Sequence, residues 1–372
     1  MQPQAILFHG RRMSLVFSEG FIFQPCVDTV VRLSKSGSSK RSVDKIRVSS
    51  GSAISLGLIE GLLDVNPTTA YLLTYFKGKC TANCGFCSQA KSSKSRGDLL
   101  SRVAWPVFAT TEVMPKLVAA IKRGRIKRVC IQTLNYPGVL EDLLVLVKKI
   151  RQQHREVPLS ISCQPSNRDG MERLARTGVE RIGIALDAAA IDIFDRVKGN
   201  SANGPYSWDK HHDALLEAVE VFGKGNVSTH LMVGLGETER QMIETIQWCV
   251  DNSICPALFS FTPIPGTTLE HRSPPTVHHY RRIQLARYLI IQGKAKSGKM
   301  SYDEEDRIVD FGVPHEQLKD AVQNGEPFLT SGCPNCNRPY YNEKPSGPLY
   351  NFPRQPTIKE IKIIKNELRD NL

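Results

Sequence analysis

The chain has 372 residues, 41% of them hydrophobic, which suffices for one large barrel or two ordinary domains with a buried core. No apolar run approaches the roughly 20 residues that cross a bilayer, and Glu19 and Gly20 interrupt the apolar stretch near the N-terminus. The net charge of +12 comes from basic residues spread along the chain without an interleaved aromatic pattern, so we expect no nucleic acid partner and no membrane partner.

Three segments are predicted along the chain. Residues 1–44 form a basic, poorly ordered extension, because positions 34–41 have the Gly, Ser and Lys composition of a linker. Residues 45–331 form the main domain, and residues 332–372 form a C-terminal segment that ends in an amphipathic helix. The ten cysteines are better explained as metal ligands than as disulfides, which predicts a cytoplasmic protein.

Strands and helices alternate through the main domain. The predicted strands are Thr69–Phe76, Arg128–Thr133, Leu159–Cys163, Arg181–Leu186, Val227–Val233 and Ala257–Phe261. The predicted helices are Ala53–Gly61, Thr110–Arg123, Val139–Gln153, Asp169–Thr177, Trp208–Phe222, Glu239–Asn252 and Val277–Ile291. The later predicted elements are a hairpin at Met300–Phe311, a helix at Pro314–Asn324, a strand at Phe328–Thr330 and a helix at Ile358–Leu372. The repeated alternation predicts an α/β fold with parallel strands, and a TIM-type barrel is favoured over a doubly wound sheet, since no GxGxxG loop opens the first helix.

Three cysteines follow the first strand of this alternation. Cys80, Cys84 and Cys87 lie within eight residues, so one short loop can turn all three thiolates toward a metal centre. A tetrahedral zinc site needs a fourth ligand, and none lies nearby in the sequence. Three thiolates would leave one iron of a 4Fe–4S cluster open to a small molecule. The alternatives are a zinc knuckle and a chance grouping of buried cysteines.

The CxxxCxxC spacing, with Phe86 directly before the third cysteine, resembles the radical SAM superfamily. The resemblance implies that Cys80, Cys84 and Cys87 hold a 4Fe–4S cluster whose open iron chelates S-adenosylmethionine. It also implies that a 5′-deoxyadenosyl radical abstracts hydrogen from the substrate, and that the fold is a barrel of the radical SAM kind with a C-terminal extension.

The residues that directly follow the strands are the next candidates, because barrel enzymes place catalytic residues there. Their order resembles biotin synthase and its relatives over roughly residues 70–270. That resemblance implies a set of cofactor-binding residues, namely Phe86, Thr133, Asp187, Gly234 and Glu237. Asp187 would accept hydrogen bonds from ribose hydroxyls, although Ala185 stands where the relatives often carry Asn. The alternative role of Asp187 is the N-cap of a helix at residues 188–197.

Four further cysteines indicate a second iron–sulfur cluster. Cys130 and Cys163 fall where biotin synthase has two ligands of a sacrificial cluster, whereas Ser228 stands at the position of its third cysteine. Cys333 and Cys336 form a CxxC turn expected at the barrel mouth, and they complete the four thiolates of a 4Fe–4S cluster. Alternatively, Cys130 and Cys163 are buried residues of the apolar core, and Cys333 and Cys336 are half of a zinc site. Two other cysteines are expected to be structural: Cys249 and Cys255.

The segment 331–343 resembles the biotin-synthase-like proteins that form a two-protein, archaeal-type lipoyl synthase. The resemblance implies a sulfurtransferase that inserts sulfur into an octanoyl chain carried by a lipoyl-domain or glycine-cleavage H protein. The implied partners also include a second radical SAM lipoyl synthase component and an electron donor such as ferredoxin or flavodoxin. The alternatives are biotin synthase, another biotin-synthase-like radical SAM enzyme without sulfur transfer, and a non-catalytic iron–sulfur scaffold or electron carrier.

Overall fold

The computed structural model describes residues 43–164 and 167–368. The strands are β1 Lys45–Val48, β2 Thr69–Thr74, β3 Leu99–Leu100, β4 Val103–Ala104, β5 Val107–Ala109, β6 Arg128–Gln132, β7 Leu159–Cys163, β8 Arg181–Ile184, β9 Val227–Val233, β10 Ile254–Ser260, β11 Ser301–Tyr302 and β12 Ile308–Asp310. The α-helices are α1 Ser50–Ser55, α2 Thr110–Lys122, α3 Val139–Gln153, α4 Arg168–Arg176, α5 Ile191–Val197, α6 Trp208–Phe222, α7 Glu239–Asp251, α8 Val277–Ile291, α9 His315–Asn324 and α10 Ile358–Glu367. The predicted extension 1–44 lies outside the described residues except for its last two positions.

One mixed sheet of eight strands organises the fold, in the order β10-β9-β8-β7-β6-β2-β1-β5. Strands β2 and β6 to β10 run parallel, as the alternation with helices predicts, and β1 pairs antiparallel with both β2 and β5. The pairing order has two ends, β10 and β5, so closure into a TIM-type barrel is not found among the described residues. The confirmed part of the fold prediction is therefore the α/β class with a mainly parallel sheet.

The two faces of this sheet differ in what they carry. Side chains alternate along each strand, so Val129 and Ile131 of β6 pack under the helices, while Cys130 and Gln132 point to the opposite face. We call this second surface the inner face. Burial of aliphatic side chains against the helices stabilises the fold by about 25 cal/mol per Å² of apolar area removed from water. The inner face carries polar residues and cysteines instead, and the candidate site lies there.

A late segment of the chain, residues 331–343, lies along the inner face. At one end, Arg128 Nε donates to the Pro334 carbonyl at 3.1 Å, near the start of β6. At the other end, Thr262 Oγ1 donates to the Asn342 carbonyl at 3.1 Å, just after β10. The segment therefore runs from the beginnings of the strands to their carboxyl ends. We call it the inner segment.

Some predicted elements differ from the structure. The proposed strand Phe328–Thr330 is instead the end of a 3₁₀ turn, Glu326–Phe328, followed by a single bridge between Leu329 and Phe352. Strands β1 and β5 were not predicted, because each is shorter than five residues and both pair with partners distant in sequence. Within the described ranges, no helix combines the length and the apolarity that a membrane span requires.

Candidate active site

The cysteine loop, residues 79–89, follows β2 at the carboxyl end of the parallel strands. Backbone hydrogen bonds fix it to three neighbours: Thr81 donates to the Asn135 carbonyl at 2.8 Å, Gly85 donates to the Val197 carbonyl at 2.7 Å, and Leu269 donates to the Gly85 carbonyl at 3.0 Å. The loop is thus held by hydrogen bonds to the segment after β6, to the end of α5 and to the segment after β10. Because these hydrogen bonds come from three separate elements, the positions of the cysteines are set by the folded domain.

Cys80, Cys84 and Cys87 line a cavity with a volume of about 170 Å³. The Cys80 sulfur accepts a hydrogen bond from the Asn135 backbone N–H at 3.1 Å. Burial raises the pKa of the Cys87 thiol to about 12 and also raises the pKa of Cys84. Both thiols are therefore protonated at pH 7 in the absence of metal. Metal binding, which deprotonates coordinating thiols outright, would convert them to thiolates.

Three thiols are a donor set that suits an iron–sulfur cluster with one open iron. No group of three or more Cys, His, Asp or Glu side chains in the described part of the chain has the geometry to hold one metal ion. A cluster does not require that convergence, because each of its thiolates binds a different iron atom. The three thiols also open onto a cavity with room for a further ligand.

Other predicted cofactor-binding residues share this cavity in part. Phe86, Thr133 and Asp187 line it, together with Cys163. Glu237 does not: its two carboxylate oxygens accept the Gly234 and Leu235 backbone N–H groups at 2.6 and 2.9 Å. The Glu237 carboxylate thus stabilises the turn after β9, Gly234 and Glu237 do not line this cavity, and their role in binding the cofactor stays a prediction.

The backbone conformation and the close packing at position 234 explain why this residue is glycine. Its φ is +107°, and an added Cβ would lie 2.8 Å from Pro275. A side chain at this position would therefore be strained in backbone conformation and would also collide with the ring.

Asp187 forms a buried ion pair that the sequence did not reveal. Lys198 Nζ lies 2.8 Å from Asp187 Oδ2 and donates to the Ala185 carbonyl at 2.6 Å, and the lysine is 0% exposed. The ammonium group also lies over the rings of Phe194 and Tyr206, at 5.4 and 5.1 Å from their centroids. Helix α5 begins at Ile191, so Asp187 is not a helix N-cap, and the alternative considered for it is excluded.

Replacement of Asp187 by Asn is expected to lower the free energy of unfolding by about 3–5 kcal/mol, because the Lys198 ammonium would be left buried without its carboxylate. Urea denaturation at pH 7 measures this loss. Asp192→Asn is the matched control: its ion pair with Arg196 is 62% and 63% exposed, and we expect a loss below about 1 kcal/mol. Adding Lys198→Met to Asp187→Asn should restore part of the stability. Equal small losses at Asp187 and Asp192 would contradict a desolvated pair.

A second group of cysteines lies deeper on the inner face. Cys130, Cys333 and Cys336 line a separate cavity of about 50 Å³. Burial and the neighbouring Cys333 and Cys336 thiols together raise the pKa of Cys130. The Tyr71 hydroxyl lies 3.3 Å from the Cys336 sulfur, and the Cys333 sulfur lies 3.5 Å from Ser160 Oγ.

The CxxC turn does not reach the carboxyl ends of the strands. Thr68, just before β2, donates its backbone N–H to the Asn337 side chain at 3.0 Å, and Arg128 at the start of β6 holds Pro334. The prediction that Cys333 and Cys336 return to the mouth is therefore wrong. Cys130 lies three residues before Thr133, or about 10 Å along the strand. This places the second group below the first cavity.

Cys163 is not part of the second group. It has the parity of Leu159 and Ile161 on β7, packs against the aliphatic cluster, and at the end of the strand lines the first cavity instead of the second. Cys255 has the parity of Ala257 and Phe259, which line the second cavity, and its sulfur lies 3.8 Å from the Gly332 carbonyl. Strand alternation thus puts Cys255, rather than Cys163, on the face that carries Cys130.

Gln132 and Arg338 connect the two cavities, since both residues line each of them. The Arg338 guanidinium lies 3.8 Å from the centroid of the Phe259 ring and donates to the Ser331 carbonyl at 2.8 Å. Burial and Arg338 lower the pKa of the nearby His230 to about 4, so this imidazole is neutral at pH 7. Sequence reasoning missed Gln132, Lys198 and Arg338, although Arg338 lies two residues after the CxxC motif.

Comparison with known proteins agrees with the cysteine loop. Residues 74–249 match the family model described as "Radical SAM superfamily". Among solved structures, methylornithine synthase (PylB) has a TM-score of 0.47 at 15% identity, with coverage of 60% of this chain and 62% of that one. The FeFe-hydrogenase maturase HydG from Carboxydothermus hydrogenoformans has a TM-score of 0.48 at 16% identity, with coverage of 61% and 52%. A further HydG structure has a TM-score of 0.46 at 12% identity, with coverage of 61% and 50%.

The match thus spans less than two thirds of the length of each of these solved chains. The family model covers β6 to β9 and the whole cysteine loop. Residues 74–249, slightly less than half of the chain, are therefore similar to the radical SAM superfamily, whose members are enzymes that use a 4Fe–4S cluster and S-adenosylmethionine.

Proposed function

We propose that the protein is a sulfurtransferase that inserts sulfur into a protein-bound octanoyl chain, as one component of a lipoyl synthase. The observation that carries this proposal is the second group of thiols, Cys130, Cys333 and Cys336, in a cavity that adjoins the first through Gln132 and Arg338. A sulfur-inserting enzyme needs a sulfide donor close to the activated carbon.

The two thiol groups have distinct proposed roles. Cys80, Cys84 and Cys87 hold the 4Fe–4S cluster that, with S-adenosylmethionine, supplies hydrogen abstraction from an unactivated C–H bond. Cys130, Cys333 and Cys336 hold a second iron–sulfur cluster, with Cys255 in place of Cys163 as the fourth thiolate. Four thiolates are the usual complement of a 4Fe–4S cluster.

The other residues of the cavity bind the cofactor and the substrate and hold them in position. The buried Lys198–Asp187 pair presents a fixed carboxylate beside the cysteine loop, suited to accept hydrogen bonds from ribose hydroxyls. Tyr206 and Asn135, which also line the cavity, form a hydrogen bond of 3.1 Å. Tyr341 and Phe259 cover the interior with aromatic surface, which excludes water from the reacting carbon.

The substrate reaches this site as a chain on a flexible lysine arm. Such an arm extends into a cavity while its carrier protein remains at the rim, so the carrier does not have to enter the domain. Lipoyl carriers are typically acidic, and this chain carries a net charge of +12. Encounter with the carrier is therefore expected to be electrostatically steered and to slow as salt increases.

Incubation with reductant, S-adenosylmethionine and an octanoyl-lysyl peptide tests the proposal. We expect the peptide to gain one sulfur atom from this protein alone, and to reach the two-sulfur lipoyl product only with the second radical SAM component. Mass spectrometry of the peptide measures both steps.

Dethiobiotin is the matched alternative substrate. Sulfur gained by dethiobiotin while the octanoyl peptide stays unchanged would favour biotin synthase. If neither substrate changes while 5′-deoxyadenosine accumulates, the radical SAM activity stands and the sulfur transfer does not.

A further inference from the structure

A third cavity, with a volume of about 60 Å³, adjoins the site on the side of β1 and α1. Its outer wall is formed by Leu63, Val65, Pro67, Val103 and Trp105. Gln132 and Arg338 line this cavity as well as the two described above, and Tyr341 separates it from the first. The three cavities therefore meet at Gln132 and Arg338.

The lining of the third cavity offers little for a polar ligand. The Ser49 hydroxyl donates to Ser52 Oγ at 2.9 Å, and Ser52 Oγ accepts the Tyr71 backbone N–H at 2.9 Å. The Tyr340 hydroxyl is bound to the Asp64 carboxylate. Because these polar groups are already paired with the protein, the remaining surface is largely hydrocarbon. An occupant gains most here by burying apolar area.

One polar atom in the wall is left over. Trp105 is 1% exposed, and its Nε1 has no hydrogen-bond partner among the described residues. A buried, unpaired N–H costs free energy, which a ligand acceptor such as an amide carbonyl would recover. The wall thus combines an apolar surface with the Trp105 N–H donor, and with Gln132 and Arg338 where it meets the other two cavities, which matches an alkyl chain that ends in an amide.

The surface beside this cavity is also apolar. Leu62, directly before Leu63 of the wall, is 100% exposed, and Ile59 is 37% exposed. Exposed aliphatic side chains at the rim of an apolar cavity are typical of a ligand-binding mouth. A cavity this small accepts a narrow chain, since a water-sized group needs about 10–15 Å³ on this measure.

We propose that this cavity, which we call the tail cavity, binds the alkyl chain of an acylated lysine. The chain lies between Val103 and Trp105, and its carbon atoms at Gln132 and Arg338 face both thiol groups. This inference rests on the proposed function for the identity of the substrate, but the binding of the chain does not depend on sulfur transfer. The site selects for chain length, because only the number of methylenes changes the buried area.

Fluorescence of Trp105 tests the tail cavity without reductant or S-adenosylmethionine. The chain has three tryptophans, so Trp208→Phe with Trp248→Phe leaves Trp105 as the sole reporter. Titration uses lysine amides that carry butanoyl, hexanoyl or octanoyl groups. We expect a change in Trp105 emission, and an affinity that rises about fourfold for each methylene. Equal affinities along the series would overturn the proposal.

Two variants that place a larger side chain in the tail cavity test whether the chain binds there. In this background, Val103→Phe and, separately, Leu63→Phe are expected to abolish the preference for octanoyl over butanoyl. Val309→Phe adds the same ring at a position that is 52% exposed on β12, and it should leave the preference unchanged. Thermal unfolding identifies any variant that fails to fold.

The outcomes for the tail cavity and for the proposed function are separable. Chain-length-dependent binding without sulfur insertion would keep the cavity and reject the sulfurtransferase. Sulfur insertion into octanoyl peptide that is insensitive to Val103→Phe and Leu63→Phe would keep the sulfurtransferase and reject the cavity.

Discussion

Alanine at Cys84 is expected to abolish cleavage of S-adenosylmethionine. Replacement of residues that merely support a metal ligand typically costs 10- to 100-fold, so loss of a ligand itself should lower 5′-deoxyadenosine formation by at least about 100-fold. Anaerobic incubation with a chemical reductant, followed by chromatography of 5′-deoxyadenosine, measures the rate. The same loss is expected for Cys80→Ala and Cys87→Ala, since all three thiols line the same cavity.

Cys249→Ala is the matched control for this prediction. Cys249 is 0% exposed in α7 and packs in the aliphatic cluster under the sheet, away from the cavity. Its replacement is expected to cost some stability and to leave the rate of cleavage per folded molecule unchanged. Near-normal cleavage by the Cys84→Ala variant would rule out the loop as the cluster site.

The second large effect concerns iron content. With Cys80, Cys84 and Cys87 all replaced by Ala, the protein is expected to retain about four iron atoms after anaerobic reconstitution, the content of one 4Fe–4S cluster. Adding Cys333→Ala and Cys336→Ala should remove them, because the second group then keeps only Cys130 on the strand. Iron and sulfide assays, together with the visible absorption of the cluster, give the measurement.

Two single replacements in the triple background decide the fourth ligand. Cys255→Ala is expected to lower the retained iron, whereas Cys163→Ala should not, because Cys163 lines the first cavity and not the second. A loss of iron with Cys163→Ala but not with Cys255→Ala would instead support the ligand set expected from the sequence. A triple variant that binds zinc, or no metal at all, would argue against a sulfide donor at this site.

The alternation of strands and helices could be predicted because periodicity is a local property. Helices α3, α6 and α8 have the predicted bounds, and the six parallel strands lie where the apolar runs indicated. The edge of the sheet could not be predicted in the same way. Strand β1 is fixed by pairs such as Arg47 with Leu73 on one side and Val107 on the other, and neither partner is close in sequence.

In the candidate site, too, the features that are local in sequence could be predicted and those that depend on tertiary structure could not. The spacing of Cys80, Cys84 and Cys87 is a local pattern, so the sequence alone could single out the loop, and the structure places all three thiols at one cavity. The Lys198–Asp187 pair depends on how α5 returns to the ends of the strands. No pattern in the sequence predicts that this lysine is buried. Cys163 lines the first cavity and not the second, because one position along a strand moves a side chain to the other face, and the sequence alone did not settle that position.

The inner segment has a consequence for how the protein is made. Residues 331–343 are synthesised long after the strands that they cover, and at 5–20 residues per second the delay after Cys87 is roughly 10–50 s. Until then Cys130 lacks Cys333 and Cys336 as neighbours, and Tyr71 lacks its contact with Cys336. A nascent chain can thus offer the three-cysteine loop to an iron–sulfur delivery protein before it offers a complete second set of thiols. Maturation of the two groups is expected to follow the order of translation, with the second confined to finished chains.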